Sequence, residues 1–212
     1  PAGTLVRMGQ VSELRAGEPN TPYGSLTEVS VDLSSGGSET QVLLKFNLSD
    51  VTAAEACEAT GATLRLLTTS STSGTISTYR MIQSWDSSTA TWNTFGGNGV
   101  QADGAAAETA TSFTLVTPQS GNFVEVDVTD DVLAWLSGSP NEGWIFLSDS
   151  TDGWDFPTFL ADGFIPELRI TNNPPAPTPQ PTGASRTELT NSVETEIRST
   201  LPASPLGGAN TI

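Results

Sequence analysis

The chain has 212 residues, 36% of them hydrophobic, and a formal net charge of −16 from 24 acidic and 8 basic side chains. That size holds one substantial domain plus an appendage, and that charge excludes nucleic acid and anionic membrane as partners. Histidine is absent, which removes the usual general base near neutral pH and the commonest zinc ligand, and no apolar run reaches the roughly 18 residues of a membrane span.

Period-two alternation then runs along the chain. Strands are expected at residues 4–14 and 26–33. In the next, Val42, Leu44, Phe46 and Leu48 point one way while Leu43, Lys45 and Asn47 point the other. Cys57, the single cysteine, lies among Ala53, Ala54, Ala56 and Ala59, so a buried and inert thiol is expected there. Ala62, Leu64 and Leu66 resume the alternation, and strands follow at 75–83 and 112–116. Val124, Val126 and Val128 oppose Glu125 and Asp127. One short helix is expected at 130–136. Thr129 is its N-cap, Asp130 and Asp131 sit at the positive end of its dipole, and Val132, Trp135 and Leu136 form its buried side. Strands at 143–148 and 167–171 close the series.

Turn signals such as Ser73-Gly74 and Gly96-Gly97-Asn98-Gly99 separate these segments. Many short strands at this spacing make an all-β antiparallel β-sandwich, jelly-roll-like. Val42, Leu44, Phe46, Leu64, Leu66, Val126, Val128, Trp135 and Leu168 are expected between its sheets.

Composition changes after Thr171. Three segments are expected: a sandwich domain at 1–172, a Pro-rich linker at 173–183 and a tail at 184–212. Pro174, Pro175, Pro177, Pro179 and Pro181 give the linker a polyproline character and a reach of roughly 30 Å at about 3.1 Å per residue. In the tail, Leu189, Val193, Ile197 and Leu201 share one face. They are expected to form an assembly interface, docked on a neighbouring copy by strand addition to a sheet edge. Pro1 opens the sequence with neither an initiator Met nor a signal-like apolar stretch, as in a processed or excerpted chain.

Six motifs in order carry a family resemblance over residues 4–171. They are Pro19-Asn20-Thr21-Pro22-Tyr23-Gly24, Leu43-Leu44-Lys45-Phe46-Asn47-Leu48-Ser49, Ala62-Thr63-Leu64-Arg65-Leu66, and the run from Trp85-Asp86 to Thr91-Trp92-Asn93. Asp127-Val128-Thr129 with Val132 and Trp135, joined by Asn141-Glu142-Gly143-Trp144, is the fifth, and Pro166-Glu167-Leu168 is the last. The set resembles the DNRLRE domain, also classed as carbohydrate-binding module family 96. The resemblance implies an extracellular, non-catalytic β-sandwich, with polysaccharide binding in some members. Ser87 stands where that family commonly has Glu, and the family pattern does not extend to the tail.

Several residues are candidates for chemistry. The tryptophans within strand-like or helical segments (Trp85, Trp92, Trp135 and Trp144) read as core, because an indole needs packing and an acceptor for its N–H. Trp154, in the polar run Asp149-Ser150-Thr151-Asp152-Gly153-Trp154-Asp155, and Tyr23 in another turn are the surface aromatics expected to stack on sugar. Asp149, Asp152 and Asp155 in that run are the candidate calcium ligands, although the spacing is not that of an EF-hand. Asp127, Asp130 and Asp131 are explained by strand polarity and helix capping. No carboxylate pair is identifiable for glycoside cleavage. Asn47-Leu48-Ser49 is a glycosylation sequon whose position in a core strand reads as chance, and Lys45 reads as an ordinary strand residue.

Two functions follow. The first is a non-catalytic extracellular or cell-surface subunit of a self-assembling fibre or surface layer, a homopolymer joined head to tail through its tail. The alternative is a polysaccharide-binding module of a secreted carbohydrate-active protein, requiring no cofactor beyond a candidate calcium ion. Given the acidic chain, a neutral glycan is the easier ligand.

Overall fold

The computed structural model describes residues 3–33, 38–158 and 165–173. The chain divides into two units, Pro1–Pro174 and Pro175–Ile212. The linker beyond Asn173 and the tail with Leu189, Val193, Ile197 and Leu201 lie outside the described residues.

In chain order the strands are β1 (Gly3–Val6), β2 (Met8–Arg15), β3 (Glu28–Val31), β4 (Thr40–Phe46), β5 (Ala59–Leu67) and β6 (Thr75–Met81). They continue with β7 (Ala107–Val116), β8 (Phe123–Asp127), β9 (Trp144–Ser148), β10 (Trp154–Pro157) and β11 (Glu167–Asn172). Helix α1 spans Ala53–Glu58 and helix α2 spans Thr129–Leu136. A five-stranded sheet runs β2-β4-β9-β6-β7, and a four-stranded sheet runs β1-β11-β5-β8. The ribbon β10-β3 joins them at one side through bridges from Asp32 to Thr40 and from Ser70 to Asp155. All pairings of the strands are antiparallel. The expected strand at 4–14 is broken at Arg7, so β1 and β2 enter different sheets.

Between the sheets lie Val42, Leu44, Phe46, Leu64, Leu66, Val128, Trp135 and Leu168, all buried as expected, while Val126 is half-buried. Each such side chain contributes roughly 1.5–3 kcal/mol by leaving water. The aromatic rings form a continuous chain. Trp135 meets Trp144 at 4.7 Å, Phe113 bridges Trp144 and Phe146 at 6.1 and 5.9 Å, and Phe146 lies 5.8 Å from Phe156.

A second apolar cluster covers the outer face of the five-stranded sheet. The excursion between β6 and β7 lays Trp85, Trp92, Val100 and Ala106 over Leu14, Leu43 and Ile145. Trp85 Nε1 donates to the Glu142 carbonyl at 2.8 Å and Trp92 Nε1 to the Gly97 carbonyl at 3.0 Å. Leu43, on the opposite face of the strand from Val42 and Leu44 as expected, is therefore fully buried as well. The Trp85-to-Asn93 run is a lid on the sheet, and its indoles are structural.

The Asn141-Glu142-Gly143-Trp144 motif has a similar role. Asn141 Nδ2 donates to the Phe46 carbonyl at 2.9 Å, and its Oδ1 accepts from Gly143 N at 3.1 Å. Glu142 pairs with Lys45 at 3.2 Å. Gly143 has φ of 71° and presses against Leu44, and Trp144 Nε1 donates to Asp131 Oδ2 at 2.7 Å. The motif thereby fixes the end of β4 to the start of β9.

Three local expectations are corrected. Cys57 is exposed, because its alanine-rich segment is the surface helix α1. A capping box starts that helix, with Thr52 Oγ1 accepting from Glu55 N and Glu55 Oε2 accepting from Thr52 N at 2.8 Å. The N-cap of α2 is Val128 rather than Thr129. Thr129 Oγ1 instead accepts from Ala62 N at 2.9 Å on β5, and Asp127 Oδ1 accepts from Thr129 N at 2.9 Å. Finally, the run expected as a polar loop contains β10, which puts Trp154 in the core.

Candidate functional site

Trp154 is fully buried, with Nε1 donating to Thr68 Oγ1 at 3.1 Å and its ring 4.8 Å from Phe156. Its pairing partner Val31 faces the same core. The expectation of a surface platform at Trp154 is corrected accordingly. Tyr23 lies elsewhere, bridged to Glu13 beside the edge strand β2. Arg15 covers one face of its ring at 3.9 Å and its hydroxyl donates to Glu18. The structure does not bring Tyr23 and Trp154 together.

The three candidate calcium ligands are also separated in role. Asp149 Oδ1 accepts from Thr75 N at 2.7 Å and Asp152 Oδ2 from Ser73 N at 3.0 Å, so both carboxylates hold the turn before β6. Asp155 bonds to Ser30 on the neighbouring strand β3. Among the described residues no three His, Cys, Asp or Glu side chains converge as a metal site.

Acidic crowding at that side does leave an electrostatic mark. Burial, followed by the charges of Asp152 and Asp155, holds the Asp32 carboxyl above its ordinary value. Asp32 Oδ1 is buried without a hydrogen-bond partner. Burial likewise raises Asp155, with the Ser30 hydrogen bond opposing and the charge of Glu28 adding to it. A carboxyl raised on folding destabilises the native state when ionised, so its contribution improves as pH falls through the folded value. Asp32→Asn is expected to raise the melting temperature at neutral pH. The gain should shrink as pH falls through the raised value and vanish below the unperturbed carboxylate range, near pH 3–4. Equal melting temperatures at neutral pH would remove the repulsion argument.

The outer face of the four-stranded sheet offers different chemistry. Because Leu168, Ile170, Ala62 and Leu64 point into the core, Glu167, Arg169, Thr63 and Arg65 point outward by strand parity. The register aligns Leu5, Arg169, Thr63 and Asp127 in one row, and Glu167, Arg65 and Glu125 in the next. Arg65 lies at the centre. Its guanidinium is 3.5 Å from the centre of the Phe123 ring, 3.1 Å from Glu125 and 3.3 Å from Glu167.

Two shallow depressions mark this face. One of about 280 Å³ is lined by Thr63, Arg65, Glu125, Glu167 and Arg169. The other, of about 260 Å³, is more apolar and includes Leu5, Arg7, Ile165 and Pro166. Glu167 lines both. Leu5 is 58% exposed and Ile165 44% exposed.

Free positive charge also gathers here. Among the described residues Arg15, Lys45, Arg65 and Arg80 are ion-paired. Arg7 and Arg169 carry no such pair, and both lie at the β1–β11 side of this face. Among the described residues, the unpaired guanidinium groups of this strongly negative chain thus gather at one place. An aromatic ring, exposed aliphatic side chains, planar donors and carboxylate acceptors together match a ligand with apolar C–H patches and dense hydroxyl groups.

Residue-by-residue sequence reading does not bring Arg65, Phe123 and Arg169 together as one candidate site. The available signal was an arginine at an outward position of a strand otherwise carrying Thr or Glu. The cross-strand register that unites them is not a local property.

A family model described as carbohydrate-binding module family 96 matches residues 14–172. No curated protein matches the chain.

Proposed function

The chain belongs to carbohydrate-binding module family 96, and on that premise we propose that it is a polysaccharide-binding module whose ligand lies on the outer face of the four-stranded sheet. Modules of this kind are in general non-catalytic and typically extracellular. Among the described residues, no helix is long and apolar enough to cross a membrane.

The observation that supports this location is the conjunction of the Arg65–Phe123 stack with two unpaired arginines on a face that the excursion over the other sheet leaves free. Sugar hydroxyls bridge guanidinium donors and carboxylate acceptors, while a sugar C–H face covers the exposed Leu5. Such contacts are shallow, so affinity is expected to be micromolar or weaker, about −8 kcal/mol at best.

Calorimetry against neutral and anionic polysaccharides, with and without calcium, tests the reading. Arg169→Ala is expected to weaken binding about ten- to a hundredfold, since a hydrogen bond from a charged donor is worth about 1.5–3 kcal/mol. Its melting temperature should not change, because Arg169 is exposed and unpaired. Unaltered affinity in Arg169→Ala and in Arg65→Ala would move the site off this face.

Self-assembly through residues 184–212 rests on the sequence of the tail alone. No observation in the sandwich adds to it, and polysaccharide binding takes its place as the leading function.

A further inference from the structure

Asn47-Leu48-Ser49 is the one Asn-x-Ser/Thr sequence in the chain with a non-proline middle residue. The strand reading placed it in the core. In the structure β4 ends at Phe46, and Asn47 instead caps a single 3-10 turn over Leu48–Asp50. Asn47, Ser49, Asp50, Thr52, Ala53 and Ala54 are all exposed. The sequon therefore lies on an accessible surface segment.

Its internal geometry is specific. Ser49 N donates to Asn47 Oδ1 at 3.1 Å and Ser49 Oγ donates to the same oxygen at 2.7 Å. This Asx turn uses the hydroxyl of the third residue, which is the residue type that the motif demands. Asn47 Nδ2 donates to no described residue and remains available. The backbone is anchored, since Asn47 N donates to the Arg7 carbonyl at 2.9 Å. Beside the side chain is a groove of about 460 Å³ lined by Gly9, Gln10, Lys45, Ser49 and Asn141 among others, with room for a first sugar.

We propose that Asn47 is an acceptor for N-linked glycosylation, with a polyprenyl-diphosphate-linked oligosaccharide as the donor class. In the transfer, Asn47 Nδ2 forms a bond to the sugar C1 as the bond from C1 to the diphosphate oxygen breaks. The diphosphate leaves with the electron pair, and the amide proton passes to a base of the transferase. The two hydrogen bonds on Oδ1 draw charge toward oxygen and make that amide proton easier to lose.

The test is secretion of the full chain from a eukaryotic cell line, followed by intact mass and peptide mapping. The expected result is one glycan on the peptide containing Asn47, removed by peptide N-glycosidase. Asn47→Gln and Ser49→Ala should each be secreted at the unmodified mass, whereas Ser49→Thr should keep the modification. Secretion of folded wild-type chain at its unmodified mass overturns the proposal. Modification that persists in Ser49→Ala also overturns it, because the hydroxyl would then have no part.

Discussion

Trp154→Ala will lower the unfolding free energy by about 3–5 kcal/mol, the usual loss for deleting a large buried ring, without altering polysaccharide affinity below the melting transition. The ring is fully buried, 4.8 Å from Phe156 and 6.0 Å from Phe146. Its removal opens a cavity where β10 meets the five-stranded sheet. It also strands the hydroxyl of Thr68, itself fully buried, which accepts the indole N–H at 3.1 Å. An unsatisfied buried polar group adds about 1–3 kcal/mol of its own. Domains of this size hold about 5–15 kcal/mol in total, so the variant will sit close to its folding limit. Urea unfolding monitored by circular dichroism measures the loss, and calorimetry at low temperature measures binding. A loss below about 1 kcal/mol, or weakened binding by a protein that is still folded, contradicts the buried assignment.

Gly143→Ala is expected to be as damaging, at about 4 kcal/mol or more, in the class of mutations that strain a special backbone site. Gly143 has φ of 71°, and a Cβ there would stand 2.2 Å from the Leu44 carbonyl oxygen and 2.8 Å from the Lys45 Cα. Both obstacles are backbone in the middle of a sheet and have no room to move. Gly96 is the control. Its φ is 94° but nothing lies within 4 Å of an added Cβ, so Gly96→Ala is expected to cost only the left-handed penalty of roughly 1–2 kcal/mol. Comparing the two by thermal unfolding separates close approach from backbone conformation. Equal losses would show that the approach of β9 to β4 is not the constraint.

Much of the sandwich was legible because alternation is a local signal. Val42, Leu44 and Phe46, or Leu64 and Leu66, declare a buried face without knowledge of any partner strand. What the sequence concealed depends on boundaries or on distant pairing. Trp154 was misplaced because Asp149, Asp152 and Gly153 resemble a loop, whereas the four-residue strand after them draws its stability from pairing with Val31 and Val29. The capping box of Thr52 and Glu55 was present at its ordinary spacing, yet the alanines around Cys57 suggested burial instead. A boundary at Phe46 rather than Leu48 changed the meaning of Asn47. The proposed binding face was not legible, because Arg65 and Phe123 are brought together by the β5–β8 register.

The pairing of β1 with β11 sets how the domain bears load. Gly3 faces Thr171 and Val6 faces Leu168, so the points where the chain enters and leaves the sandwich are neighbours at one end of a single antiparallel ladder. Tension applied across those two points falls on the terminal hydrogen bonds first and opens the ladder one rung at a time, like a zip. A ladder pulled in shear would have to break its rungs together. A domain stretched between those two points would therefore yield by peeling β1 from β11, which uncovers Leu168 and Ile170 before the five-stranded sheet is strained.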